Sequence, residues 1–193
     1  MEIIKIGFKK FEIVEELKEN TYKAKIKDKF YYIRCFPGSF TDFYRYHEDK
    51  KKFNNCGVRH PKIVAVDKKN YIVVTEFING ETILDMLIKD ELPDIIYEKI
   101  FLMTYLARID YRIINPDPSL YRFDGKELYY MSEEYIPYSD EEKFVNKGIR
   151  LWFYTDEFET LLKEKGRELN KSRRKADYEI NKKIVLLTCK FYH

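Results

Sequence analysis

The chain has 193 residues, enough for one domain or for two small lobes sharing a cleft, and 45% apolar with 17% aromatic content supplies a packed core. Charged residues make up 36% but nearly cancel at +3, so bulk charge does not single out a nucleic-acid partner. Cys35, Cys56 and Cys189 show no C-x-x-C spacing, which argues against zinc or a disulfide framework and for a reducing compartment. There is no apolar run of about 18 residues to span a membrane. Met1-Glu-Ile-Ile-Lys-Ile-Gly7 lacks the apolar core of a signal peptide, and the expectation is a cytoplasmic protein.

Residues 3–36 read as β-strands, with alternating or apolar-rich β-formers over 11–17, 21–26 and 30–36 and a polar turn at Lys27-Asp28-Lys29. Pro37-Gly38 ends the last of these. Ser39 or Thr41 then caps a helix to about residue 54, with Phe40, Phe43, Tyr44, His47 and Phe53 near one face. Gly57 stops it, His60-Pro61 opens an extended segment to Val66, and Asp67-Lys68-Lys69-Asn70 turns into a strand over 71–77. Asn79-Gly80 marks a change of character. Residues 82–88 and 95–109 carry apolar side chains at three- and four-residue intervals, as helices do. A loop, Asn115-Pro-Asp-Pro-Ser119, precedes a hairpin over 120–123 and 127–131 that turns at Asp124-Gly125. Helices near 141–155 and 156–169, a basic segment and an apolar run over 184–189 complete the chain, with Trp152 and Tyr154 expected in the core.

The stretch Tyr71-Ile-Val-Val-Thr-Glu-Phe-Ile-Asn-Gly-Glu-Thr-Ile83, a buried β-branched strand running into a linker and a helix, resembles the lobe crossover of protein-kinase-like proteins. Cys56-Gly-Val-Arg-His-Pro-Lys-Ile-Val-Ala-Val-Asp67 resembles the segment that precedes it in that family. Tyr22-Lys-Ala-Lys-Ile26, Phe30-Tyr-Tyr-Ile-Arg34 and Tyr138-Ser-Asp-Glu-Glu-Lys-Phe-Val-Asn-Lys-Gly-Ile-Arg-Leu151 extend the likeness. The nearest groups are the Rio kinases, the kinase subunit of the KEOPS complex, and the lipopolysaccharide-kinase and aminoglycoside-phosphotransferase group. The resemblance implies an α+β, two-lobed protein-kinase-like fold. Residues 1–78 would form a β-rich N-lobe with one helix, and 79–193 a small, mainly helical C-lobe with one hairpin. It also implies ATP as ligand, magnesium as metal, and an adenine edge meeting the main chain of Glu76, Phe77 and Ile78.

Phosphoryl transfer needs a phosphate lid, a cation on the phosphates, metal ligands and a carboxylate near the attacking hydroxyl. The lid would be the turn over 17–21, which has no glycine and has Glu16 and Glu19 close by. Arg34 stands where the family has its strand lysine, and its flat fork is not equivalent to an ammonium. Glu48, with Asp49 as the lesser choice, occupies the position of the pairing glutamate; it either pairs with Arg34 or sits solvated beside Lys50, Lys51 and Lys52. The catalytic loop has three registers. One makes Asp117 the base with Ser119 in place of asparagine; a second uses Asp110 and Asn115; a third puts Ile114 at the base. Asp117 is preferred, against the alternative that it is a turn residue between two prolines. The magnesium motif maps to Met131-Ser132-Glu133, so Ser119, Ser132 and Glu133 are the degenerate metal candidates. His47, His60 and His193 share no ligand spacing.

The densest basic cluster, Lys171, Arg173, Arg174 and Lys175, is either a solvated helix face or a phosphate-backbone contact to RNA. Three readings follow. The chain is a degenerate kinase-like protein that binds a protein partner, with weak ATP binding at most; or an active atypical kinase or small-molecule phosphotransferase; or an RNA-associated accessory protein.

Overall fold

The β-formers of the first 76 residues assemble into one antiparallel sheet in the computed structural model, which describes residues 2–132, 135–139, 144–168 and 177–192. Its strands are β1 (Ile3–Ile6), β2 (Lys9–Lys18), β3 (Thr21–Ile26), β4 (Lys29–Cys35), β5 (Ile63–Asp67) and β6 (Ile72–Glu76), in the order β1-β2-β3-β4-β6-β5. The turns are tight because Asn20 and Lys27 take positive φ (58° and 54°) and because the Asp67 carboxylate accepts the N–H groups of Lys69 and Asn70. Alternation puts Phe11, Ala24, Ile33 and Val74 in a core on one face. The other face is covered by α1 (Phe40–Asn55), which packs Phe43 and Tyr46 with Phe36 and Val73.

Ser39 caps α1, accepting the Asp42 N–H at 3.3 Å while its hydroxyl donates to the Asp42 carboxylate. The buried stripe of α1 is Phe43, Tyr46 and Lys50, not the one expected from Phe40 and Tyr44, which are both more than half exposed. Phe40 and Tyr44 instead meet each other on the outside, with ring centroids 5.9 Å apart. The Phe53 side chain lies outside the described ones. Met1–Lys52 and His60–Asn79 form one compact unit, and Phe53–Arg59 with Gly80–His193 form the second.

The second unit begins with β7 (Glu81–Thr82) and α2 (Ile83–Lys89), capped where Thr82 accepts the Asp85 N–H. Then come α3 (Asp94–Ile109), β8 (Arg112–Ile114), β9 (Tyr121–Phe123) and β10 (Leu128–Tyr130). After them lie β11 (Tyr135–Pro137), α4 (Asp156–Glu164) and α5 (Asp177–Tyr192). Strands β10-β9-β7 make a three-stranded sheet, and β11 pairs antiparallel with β8, bracketing the β9–β10 hairpin. The core gathers Ile83, Leu87, Ile96, Ile100, Phe101, Tyr121, Tyr130, Trp152 and Phe158.

Two expectations are corrected here. No α-helix occupies the described part of 141–155; residues 144–147 are a turn, and Gly148–Trp152 is a 3₁₀-helix. Packing overrides the apolar periodicity there: Gly148 lies so close to Pro116 and Phe144 that an added Cβ would meet them at 2.6 and 2.9 Å. Phe144 and Trp152 are drawn inward. The helix expected over 156–169 ends at Glu164, because Gly166 (φ +65°) closes a Schellman turn. Its N–H reaches the Lys163 carbonyl, and the Arg167 N–H reaches Leu162 at 2.8 Å. Glu133 and the cluster Lys171, Arg173, Arg174 and Lys175 lie outside the described residues.

Candidate functional site

The sheet register aligns Thr21, Arg34 and Val73 in one cross-strand row, and Lys23, Tyr32 and Thr75 in the next row but one. Side chains two apart on a strand share a face, so Arg34, Tyr32 and Lys23 look the same way. That face is filled by the chain's own aromatic rings. Tyr32 and Phe77 meet at a tilt of 34° with centroids 4.6 Å apart, Phe30 lies 6.1 Å from Phe77, and Lys23 Nζ is 4.8 Å from the centroids of both phenylalanines. The Arg34 guanidinium carbon is 5.2 Å from the rings of Phe36 and Tyr46. Both cations therefore lie against π-faces.

The linker is also committed to the sheet. The Glu76 N–H donates to the Lys62 carbonyl, the Glu76 carboxylate accepts the Lys62 N–H at 3.1 Å, and the Phe77 N–H donates to the Phe30 carbonyl. Ile78 is buried. Two of the three linker N–H groups expected to face an adenine edge are thus in use. At the β2–β3 turn, where a glycine-rich lid would be, the Asn20 carbonyl accepts the Cys35 N–H at 2.9 Å.

Glu48 takes the second of its two expected courses. Lys51 reaches it at 2.8 Å and His47 at 3.4 Å, so the Arg34–Glu48 pair is not formed. The hydrogen bond from Lys51 holds its carboxyl below the ordinary glutamate range. Asp49 pairs with Lys52 at 3.4 Å. The residue of α1 that does turn inward is Lys50, only 3% exposed, with Nζ 3.2 Å from Nδ1 of the buried His60. Burial first, and then the Lys50 charge, push the His60 pKa well below its usual value, so the imidazole is neutral and accepts from the ammonium. His60 lies in the loop before β5, where the sequence placed the start of an extended segment, but its burial against Lys50 was not anticipated. The only available signal was Lys50 at helical spacing from Phe43 and Tyr46.

In the second unit the loop between β8 and β9 is fixed at nearly every residue. Asn115 Oδ1 accepts the Asp117 N–H and Asp117 Oδ1 accepts the Ser119 N–H, giving two Asx turns in succession. The Tyr121 hydroxyl donates to the Asn115 carbonyl at 2.6 Å, and the Tyr130 hydroxyl accepts the Asn115 N–H at 3.1 Å. Burial drives the Tyr121 pKa far up, so this phenol stays a neutral donor. Trp152 Nε1 donates to the Pro116 carbonyl at 2.7 Å. The second oxygen of Asp117 meets Lys165 Nζ at 2.7 Å, with the two side chains 19% and 30% exposed. Lys165 was not anticipated; it is the C-cap residue of α4, brought there by the stop at Gly166.

The Met131 N–H donates to the Leu120 carbonyl at 2.8 Å, so the structure does bring the Asn115–Ser119 loop beside Met131 and Ser132. The alternative base Asp110 pairs with Arg112 at 2.8 Å, and Ile114 is buried. Magnesium takes one or two carboxylates from a protein beside its waters and the substrate phosphates. Here Ser119 and Ser132 offer neutral hydroxyls, and Asp117 is already neutralised by Lys165, so the described donors do not fit magnesium. No three His, Cys, Asp or Glu side chains converge as a metal site among the described residues. Nor is any described helix long and apolar enough to cross a membrane.

No family model and no curated protein matches the chain. Among solved structures, the choline kinase LicA from Streptococcus pneumoniae is similar at 15% identity and a TM-score of 0.43, over 94% of this chain and 84% of its own.

Proposed function

We propose that this chain is a degenerate protein-kinase-like protein that works by binding a protein partner, with phosphoryl transfer given up and ATP bound weakly at most. One observation carries the reading. The sheet face that bears Arg34, where a purine and its phosphates would lie, is occupied by the tilted ring pair of Tyr32 and Phe77 with Lys23 and Arg34 held on aromatic rings. The Asp117–Lys165 contact agrees with it: one carboxylate oxygen takes the Ser119 N–H and the other faces the Lys165 ammonium, so the group serves a turn and an ion pair.

Thermal denaturation with ATP, with and without Mg²⁺, tests the proposal. A ligand at about 100 times its Kd stabilises the native state by about 2.7 kcal/mol. For a chain of this length that is a rise of roughly 5–10 °C. The expected shift at millimolar ATP is below about 1 °C, and Tyr32→Ala, which opens the face, should raise it. A shift of several degrees in the unaltered protein that requires Mg²⁺, accompanied by phosphate release, would overturn the proposal.

A further inference from the structure

The helical unit carries an open surface groove of about 440 Å³ lined by Tyr105, Arg108, Ile109, Tyr111, Tyr138 and Tyr192. Beside it is a void of about 20 Å³ that shares Arg108, Tyr138 and Tyr192 and adds Thr104 and Arg112 to the wall. The larger space falls in the range of small-molecule sites, roughly 300–1,000 Å³. The smaller one holds about one water-sized group.

The walls are held in place by contacts of their own. The Tyr192 hydroxyl donates to Thr104 Oγ1 at 2.8 Å, and its ring stands edge-on to Tyr105 at 5.7 Å. Tyr111 and Tyr138 form a second edge-on pair at 6.3 Å. Charge sets the sign of the site. Arg112 is answered by Asp110 at 2.8 Å, whereas Arg108, whose guanidinium carbon lies 5.5 Å from the Tyr192 centroid, pairs with no carboxylate among the described residues. A cage of tyrosines alone suits a quaternary ammonium; an arginine in the same wall repels one.

The geometry points to a binding site for a small aromatic anion, an aryl carboxylate or aryl phosphate, with its ring among the tyrosines and its oxygens on Arg108 at the mouth of the smaller void. The guanidinium fork matches either oxyanion through paired N–H bonds. The site lies wholly within the helical unit and stands apart from the reading of Arg34 and Asp117.

Isothermal titration of the full chain with benzoate, phenyl phosphate, inorganic phosphate and benzyltrimethylammonium tests it. At least one aryl anion should saturate, inorganic phosphate should bind about tenfold more weakly for want of the ring, and the ammonium should not bind. Whether benzoate or phenyl phosphate is the tighter decides which oxyanion the site takes. Arg108→Gln should weaken the aryl anion by about tenfold or more. Tyr111→Ala, at a residue 80% exposed and so without risk to folding, should weaken it several-fold and carries the test if the arginine variant does not fold. Three outcomes overturn the inference: no saturable binding of either aryl anion up to about 10 mM, ammonium binding as tight as theirs, or affinity unchanged in the variants.

Discussion

Asp117→Asn separates a structural carboxylate from a catalytic one. The amide keeps an oxygen for the Ser119 N–H, so the Asx turn survives, and only the charge facing Lys165 is lost. Exposed ion pairs contribute about 0–1 kcal/mol, while stripping one partner from a fully buried pair costs about 3–5. With Asp117 and Lys165 19% and 30% exposed, the contact falls between these limits, at about 1–2 kcal/mol. For a chain of this length that is a fall of roughly 2–8 °C in the melting temperature. The same substitution made in a Lys165→Met background should cost little, because the cation it abandons is gone. Differential scanning calorimetry of the four proteins gives the coupling, and a phosphate-release assay runs beside it. If Asp117→Asn left the melting temperature unchanged and abolished a measurable phosphate release, Asp117 would be a base and the structural account would be wrong.

Two further substitutions and a pH scan extend the set. Gly80→Ala puts a Cβ against the Phe123 backbone, 2.7 Å from its carbonyl carbon, in a stretch where Arg122 also bonds the Gly80 carbonyl. It should destabilise by about 2 kcal/mol or more. Gly125→Ala meets nothing within 4 Å and carries only the strain of φ +94°, about 1 kcal/mol, so urea midpoints should rank the two in that order. For His60 the folded pKa lies well below 6.5, whereas the unfolded imidazole titrates near its ordinary value. Below about pH 6.5 the unfolded chain therefore binds the extra proton, and stability falls as pH drops, by up to about 1.4 kcal/mol per pH unit, with no contribution above neutrality. The difference in melting temperature between the unaltered protein and His60→Gln should shrink from pH 7.5 to about pH 5; a pH-independent difference would remove the buried pair from the account.

How much could be read from the sequence depended on how local the cause was. The strands over 21–26 and 30–36, the Ser39 cap, the Asp67 turn and the Asp124-Gly125 hairpin rest on neighbours within a few residues, and the structure has each of them. The 3₁₀-helix at Gly148–Trp152 rests on Pro116, more than thirty positions upstream, and periodicity does not register that contact. The same holds for the strand pair β8–β11, whose partners Ile114 and Tyr135 are far apart in sequence. At the candidate site the residue types were visible but their occupations were not. Arg34, Glu48 and Asp117 could each be placed on a motif, yet what each one touches depends on Tyr46, Lys51 and Lys165.

Those occupations share a physical logic. A phosphate is held by cations whose N–H donors point toward it with room for its oxygens. Here Lys23, Arg34 and Lys50 lie 4.8–5.4 Å from ring centroids, and Lys165 lies on Asp117. Each ring contact contributes about 0.5–2 kcal/mol to the folded state. A phosphate on Lys23 or Arg34 would have to fit around the rings that flank them, and Asp117 already faces the Lys165 ammonium. On the proposed function, reverting a single residue leaves the rest in place, so Arg34→Lys alone should restore neither nucleotide binding nor transfer. Clearing Tyr32 should by itself raise nucleotide binding, and freeing Asp117 as well is the smallest change from which transfer should emerge.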